Sequence, residues 1–524
     1  MRRARGSASR ASGREHVWRL TCRRMTGARP REQARKRLRR PPAGLPGLMV
    51  TVTVVGIVWA LLVPPWQTPD ETSHYAYAEG LAENFRLPPS GAAEPPPAPP
   101  PGSTDQVIAD NAVGASRGAF YPQSAPPEWN SAVWTAYRAT KRARLAPSRS
   151  DRGGANSAAG NPPLYYLYAD LGYFFNHGGA AFGRLYTMRL WGVLLVALNA
   201  LAGWLLAGEI LDRRRLPQLA CGGVAGLLPM ETFMGASVNP DALLVPLWTL
   251  AFWLGARVIV RGAPIRDVVA VCAVAAAAVL TKYTSYALVP AVAFCVLVGW
   301  LRRPPEQRPR ALRQLALASL AFLVLFLGWV ELAATSGLSA INTLAAGPGP
   351  APFKLGQFLS YVWQFYLPRL PWMSRFRLTP DLGVYDVWVR EGTGVFGWLT
   401  VSLPEWVYTA AGVIGGAIGL AVLWFVATLR SRTALWLLGF SAIALIALMV
   451  GLHVTEYRSV INAQPAVLQG RYLLPVIGLL GLAVGLVISR LPERIRPGAC
   501  GAVLLLLLAL QALSMSAVIK AFYL

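Results

Sequence analysis

Residues 46–75 read PGLMVTVTVVGIVWALLVPPWQTPDETSHY. Positions 46–64 carry no charged side chain, and a bilayer crossing needs about 20 apolar residues. This run is too long for the apolar segment of a cleaved leader, and no small-residue cleavage site follows it. It therefore reads as a membrane span. At Pro64-Pro65-Trp66 the chain turns polar and presents Asp70, Glu71 and His74 within five residues. Two carboxylates and an imidazole thus sit at the membrane surface, at the start of a helix expected over 70–86.

Ten further apolar runs follow, at 185–208, 217–235, 242–260, 267–281, 284–301, 312–333, 405–429, 433–452, 471–489 and 498–519. Only 14% of the 524 residues are charged and 54% are hydrophobic. Soluble domains carry about 25% charged residues, so long stretches here have no water to face. The expected fold is an all-α polytopic membrane protein of about eleven spans. The run at 267–281 is the shortest for a crossing. The 18 Trp and 18 Tyr suit headgroup-level belts.

A net charge of +25 could suggest nucleic acid, but its distribution argues against that partner. Residues 1–40 hold fifteen Arg or Lys and two Glu, or +13 of the total. This Arg-rich start, within a segment 1–45, has little apolar periodicity and reads as a disordered cytoplasmic tail able to touch anionic lipid. A true start at Met25 or Met49 is equally compatible with the sequence. The remaining charge lies mostly in short loops. Cys22, Cys221, Cys272, Cys295 and Cys500 are scattered, with neither metal spacing nor a disulfide framework.

Loop charge sets the orientation. With the N-terminus inside, the cytoplasmic loops hold Arg213-Arg214-Arg215, then Arg257, Arg261 and Arg266, then Arg302 through Arg313, Arg430 and Arg432, and Arg490, Arg494 and Arg496. The short loops on the other side, 239–241, 281–284 and 453–469, hold few cations, so every short loop follows the positive-inside rule. Counting 161–177 as a span would reverse all later loops. Its Tyr and Phe content reads instead as a helix lying in the outer interface. The transmembrane domain then covers 46–520, with long outside loops at 65–184 and 334–404. The first loop includes a Pro-rich stretch at 88–103 that cannot bury a core. The second carries Trp363, Trp372, Trp388 and Trp398.

Three groups could carry chemistry. Asp70 and His74 are four apart and share a helix face, and a carboxylate at a helix start is stabilised as the anion. An ordinary cap, with Thr68 or Asp70 as N-cap and Glu71 against the dipole, fits the same spacing. Asn239 and Asp241 precede the span at 242–260, where an acid is costly without a partner, although they too could cap a helix. Glu231 ends the preceding run. Lys282, Arg458 and Arg471 are cations on the side where cations are scarce. A lipid phosphate is their natural counter-ion, since an Arg fork matches phosphate oxygens, and snorkelling to headgroups is the plain alternative. His177 and His453 read as interfacial structural residues. No Walker A loop, HExxH pair, GxSxG elbow or CxxC pair is present.

Trp66-x-x-Pro69-Asp70-Glu71-x-x-His74, Asn161-Pro162-Pro163-Leu164-Tyr165-Tyr166, Asn239-Pro240-Asp241, Leu280-Thr281-Lys282 and Gln469-Gly470-Arg471-Tyr472-Leu473-x-Pro475 together resemble a bacterial "predicted membrane protein" family common in actinobacteria. The resemblance runs from about residue 46 to 520. That family in turn resembles the GT-C glycosyltransferases, lipid-linked-sugar enzymes that include the protein mannosyltransferases and the aminoarabinose transferase of lipid A. The resemblance implies a GT-C-like bundle with extracytoplasmic juxtamembrane helices and an inverting transferase of the cell membrane. Its donor would be a polyprenyl-phosphate sugar and its acceptor an envelope glycan or lipid. Asp70 would be the general base, with Glu71 assisting and His74, Asn239 and Asp241 supporting. Arg471 and Lys282 would hold the donor phosphate, and Asp70 and Asp241 could share a divalent cation. Asn161 stands where many relatives carry His. A transporter or flippase of a lipid-linked saccharide is the alternative. It would need ionisable groups or broken helices at membrane depth.

Overall fold

Apolar runs without water-facing periodicity must satisfy their backbone internally, which in lipid means helices. The computed structural model describes residues 44–85, 87, 156, 158–179, 181–335, 351–376, 383–462 and 466–524. Among these the helices are α1 (Leu45–Leu62), α2 (Glu71–Asn84), α3 (Leu164–Phe174), α4 (Ala181–Ile210), α5 (Arg215–Leu227), α6 (Pro229–Gly235) and α7 (Asp241–Arg261). They continue with α8 (Ile265–Val279), α9 (Leu288–Leu301), α10 (Arg308–Thr335), α11 (Leu355–Tyr366), α12 (Glu405–Ala427), α13 (Arg432–Ile461), α14 (Ile477–Arg490) and α15 (Arg496–Tyr523). A two-stranded antiparallel ribbon pairs Val395 with Ser402 and Phe396 with Val401. The expected disordered tail and the Pro-rich stretch at 88–103 lie outside the described residues. So do most of the first long loop and parts of the second.

The chain is a polytopic all-α membrane protein. Among the described residues nine helices are long and apolar enough to cross a bilayer. The other two of the eleven expected runs form shorter helices. The run at 217–235 is interrupted at Leu228, whose backbone is extended, and restarts at Pro229 as α6. Proline lacks the N–H and fixes φ, so it starts helices more readily than it continues them. The run at 267–281 becomes α8, whose 15 residues reach only about 22 Å at 1.5 Å per residue. Two 3₁₀ turns, Tyr283–Ala287 and Gly470–Val476, lead into α9 and α14.

The chain divides into Met1–Pro46 and Gly47–Leu524. Of the first unit the described residues are only 44–46, at the start of α1. In the second, α7 is the most buried span. Its Trp248 and Phe252 pack with Val271 of α8, Leu288 of α9 and Phe440 of α13. Where α5 meets α14, a Cβ on Gly481 would stand 2.6 Å from the Cys221 carbonyl oxygen, so glycine sets that close approach, as small residues do between membrane helices. Helix α12 buries almost nothing and exposes Leu420, Leu423 and Trp424, as a lipid-facing helix does.

Helix α3 answers the question raised at 161–177. It has eleven residues, about 16 Å long, too short to cross. Tyr165, Tyr166, Ala169 and Tyr173 are buried against α2 and α4, while Leu167, Leu171, Phe174 and Phe175 are at least half exposed. One aromatic face holds the protein and an apolar face is left free, the pattern of an interfacial helix.

Candidate active site

The motif after α1 is held by an arginine that motif reading passed over. Arg189 of α4 is fully buried and donates from Nη1 to the Val63 carbonyl at 2.5 Å and from Nη2 to that of Pro64 at 3.1 Å. Its Nε and Nη2 also reach the two oxygens of Glu71, at 2.8 and 2.5 Å. The same carboxylate accepts the backbone N–H groups of Trp66 and Val238, at 3.2 and 3.1 Å. An unpartnered charge at this depth would be prohibitively costly, and here every polar edge is matched. Glu71 therefore has no oxygen left for a substrate proton. Its geometry is that of a positioning residue, which narrows the catalytic share expected of it. Arg184 and Arg189 open α4 at the end of the bundle where cations are scarce. As cations on that side they carry the same signal in the sequence as Lys282 and Arg471.

Glu71 and its partners hold a strained turn. Trp66 and Asp70 both adopt left-handed backbone, with φ of 67° and 62°. That conformation is uncommon for a bulky residue, while Asp and Asn enter it more readily. Trp66 is locked at both ends, since its carbonyl also accepts the indole N–H of Trp398 at 3.0 Å. Asn239 ties the turn to α7. It donates to the Pro69 carbonyl at 3.3 Å while its own side-chain oxygen accepts the Asp241 N–H at 3.0 Å. The N-cap of α7 is Pro240, so the Asn239 bond to the Asp241 N–H lies just before the helix and not in its cap.

Asp70 is thereby turned outward. Its side chain is 45% exposed, against 0% for Glu71, so it is the accessible carboxylate of the pair. Arg471, in the turn leading into α14, donates to Asp70 Oδ2 at 2.9 Å. Burial works against the Asp70 anion, but the charges of Arg471, His74 and Lys282 outweigh it and hold this carboxyl below its usual range. His74 lies one turn along α2, with Nδ1 2.9 Å from the Tyr166 hydroxyl. Burial pushes its pKa down to about 4 despite the nearby Asp70, so the ring is neutral near pH 7. Tyr166 stacks on Tyr77 at 3.6 Å and accepts from Asn161 Nδ2 at 3.4 Å. Asn161 thus joins this polar chain.

Two further residues singled out in the sequence meet in a pairing that it did not suggest. Lys282 donates to Asp241 Oδ1 at 2.6 Å, and Tyr472 lies between the cations, its ring 5.0 Å from Lys282 Nζ and 5.4 Å from the Arg471 guanidinium carbon. Asp70 and Asp241, the pair expected to be able to share a divalent cation, each face a protein cation instead. No three acidic, His or Cys side chains gather among the described residues. The donor set suits an anion better than a metal. Arg458 does not join it and lies over the Phe353 ring, 5.9 Å away. Glu231 pairs with Asn199 at 2.9 Å. His453 is held by the hydroxyls of Tyr361 and Tyr366 at 2.9 and 2.8 Å, and His177 by Glu83 at 2.8 Å.

Several buried polar atoms around this cluster have no partner among the described residues. They are Nε and Nη1 of Arg471, Oδ2 of Asp241, and the side-chain oxygens of Gln67, Thr68, Asn161, Thr284 and Gln469. Buried groups of this kind are normally satisfied. Unpaired N–H groups beside unpaired acceptors are what a ligand bearing both phosphate and hydroxyls would use.

No curated protein matches the chain in sequence. Among solved structures it is similar to ArnT from Cupriavidus metallidurans in the apo state, at 16% identity and a TM-score of 0.45, over 87% of this chain and 62% of that one. The chain thus spans under two thirds of that protein. It is similar to the same ArnT bound to undecaprenyl phosphate, at 16% identity and 0.45, over 92% and 76%. It is also similar to the arabinosyltransferase EmbB from Mycobacterium smegmatis, at 13% and 0.39, over 97% and 43%. Residues 53–480, which include Asp70, Glu71, His74, Asn239, Asp241, Lys282 and Arg471, match the family described as "Predicted membrane protein (DUF2142)", and the chain belongs to that family.

Proposed function

We propose that the chain is an inverting membrane glycosyltransferase, GT-C-like, that moves a sugar from a polyprenyl-phosphate donor to a cell-envelope glycan or lipid on the extracytoplasmic face. The carrying observation is Arg471, a buried guanidinium with one arm on a half-open carboxylate and two N–H groups without partners. A donor phosphate taken by those N–H groups would draw Arg471's charge from Asp70. The base would thus become stronger when the donor arrives. Asp70 then accepts the proton of the acceptor hydroxyl as its oxygen bonds to the anomeric carbon. The bond from that carbon to the phosphate oxygen breaks, and Arg471 and Lys282 stabilise the departing anion. One displacement inverts the anomeric centre. Glu71, His74 and Asn239 hold the turn on which Asp70 sits. The loop charges, which follow the positive-inside rule, support the side, and the acidic residue in the first outside loop, which the resemblance to GT-C enzymes implies, supports the class.

One feature favours a second reading. The break at Leu228–Pro229, with the buried Glu231 just beyond it, is the kind of interrupted helix a lipid-linked-saccharide transporter would use. Purified protein in liposomes, given a polyprenyl-phosphate donor labelled in its sugar, separates the two. Label appearing in an acceptor of opposite anomeric configuration supports the transferase. Donor crossing the bilayer with no transfer to any envelope acceptor supports the flippase and rejects the enzyme.

A further inference from the structure

Gly470, immediately before Arg471, is gripped from one side by a rare element. Residues Tyr385–Glu391 form a π-helical turn, a geometry that recurs at functional sites. It is pressed so closely on Gly470 that a Cβ there would lie 2.3 Å from the Val387 carbonyl oxygen and 2.4 Å from the Gly392 nitrogen. At the end of this turn Glu391 Oε2 accepts the Gly470 N–H at 2.8 Å. One carboxylate therefore fixes the backbone that aims Arg471 and also lies within its field.

The charges around Glu391 define what it can do. Arg471 faces it from the turn before α14. Asp386 and Arg390 flank it on its own turn. Arg390 is itself engaged by Asp386 at 3.3 Å, by Glu405 of α12 at 3.7 Å and by the Tyr408 ring. Burial raises Glu391 most; the Gly470 N–H and Arg471 pull it back, and it settles at about 7. An anion drawn to Arg471 takes away part of the positive charge that stabilises ionised Glu391, so the carboxyl is more readily protonated when the site is filled.

We propose that Glu391 is a proton-linked positioning residue of the Arg471 site, so that binding of a phosphodiester anion there is coupled to partial proton uptake at Glu391. This rests on the reading of Arg471 as the donor-phosphate ligand. The proton enters from solvent with the anion and leaves with it. By linkage, affinity is highest below neutrality and falls as pH rises. His74 does not produce this profile, because its own titration lies near pH 4.

The probe is farnesyl methyl phosphate. This phosphodiester has no second ionisation, unlike a phosphomonoester, which titrates near pH 6. Calorimetry on the detergent-purified full chain, in buffers of different ionisation enthalpy, reads proton uptake directly. The wild type is expected to bind about fivefold more weakly at pH 8.5 than at pH 6 and to take up protons near pH 7. Glu391→Gln keeps an acceptor for the Gly470 N–H but no charge, and should bind equally at both pH values with no uptake. Wild-type binding that is weakened by Arg471→Ala yet shows no proton uptake overturns the proposal and leaves the donor reading standing. So does a Glu391→Gln protein that keeps the wild-type pH profile. If the probe binds at no pH, the donor reading fails and takes the coupling with it.

Discussion

Arg471 reaches Asp70 at 2.9 Å across 401 positions of chain, and this contact joins the loop after the first span to the loop before α14. Neither residue is costly where it lies only because the other is there. The guanidinium is buried, while the carboxylate is open on one side. A pair built for stability alone would bury both partners and satisfy every edge, as Glu71 and Arg189 do. The unequal exposure and the unpaired guanidinium nitrogens set this pair apart from Glu71 and Arg189 and support the role proposed for it.

Asp70→Asn tests the open carboxylate with the backbone kept. Asn tolerates the left-handed conformation that position 70 requires, and its side-chain oxygen can still accept from Arg471. The buried guanidinium nevertheless loses its counter-ion, so the thermal midpoint should fall and activity is compared at a temperature where both proteins are folded. Sugar transfer should fall by about 10²–10⁴-fold, the usual contribution of a general base. A single-turnover assay reads the loss. Transfer within a few-fold of wild type would remove Asp70 from the chemistry.

The sequence shows helix content and most spans plainly, because apolar runs in lipid have few other ways to satisfy their backbone. Asp70, Asn239, Asp241, Lys282 and Arg471 were also legible, since polar residues at the mouths of spans demand partners. Which partner each takes was not. Pairings such as Glu71 with Arg189 depend on how α4 packs beside α1, and no local spacing encodes that. Glu391 was hidden for a related reason. Its role arises from a π turn pressed against Gly470, and neither has a sequence pattern of its own. The contrast between a half-exposed Asp70 and a fully buried Glu71 appears only in the packed structure.

Glu71→Gln should act on stability more than on chemistry. It leaves the Arg189 charge buried without its counter-ion, and breaking such a pair costs about 3–5 kcal/mol. The midpoint in a fixed detergent should drop markedly. The double variant Glu71→Gln with Arg189→Met should recover part of the loss, because the stranded charge is gone. Additive losses in the double variant would show that the two do not act as a pair.

Gly470→Ala should damage binding out of proportion to its size. The added methyl meets backbone atoms of the π turn, which cannot swing aside as a side chain would. The turn must shift and Arg471 with it, and a misplacement of about 1 Å can cost on the order of 10²-fold in rate. Equilibrium binding of a phosphodiester lipid should weaken strongly, while Gly356→Ala, where a Cβ meets nothing within 4 Å, should leave binding unchanged. Equal binding in the two variants would contradict the role given to the close contact.

The pH dependence of stability should carry the mark of Asp170. This carboxyl, in α3, is 5% exposed and its Oδ1 has no partner among the described residues. Burial pushes its pKa from 3.8 up to about 8. The folded protein therefore holds a proton that the unfolded chain releases above pH 3.8. The stability this contributes is complete below that pH and is lost progressively as pH rises through 8. Glu391, raised to about 7, acts with the same sign over a shorter window. His74 acts oppositely. Its pKa is depressed from 6.5 to about 4, so its contribution is present above pH 6.5 and lost as pH falls toward 4. Between pH 4 and 6.5 these slopes oppose one another, and above 6.5 His74 no longer contributes to the slope while the two acids do. Wild-type midpoints should thus decline from pH 6.5 to 8.5. Asp170→Asn should flatten that decline, raising the midpoint more at pH 8.5 than at pH 5. Midpoints read at one scan rate and in one detergent across this range decide it, and a variant that follows the wild-type curve throughout would show that Asp170 is ionised in the folded protein.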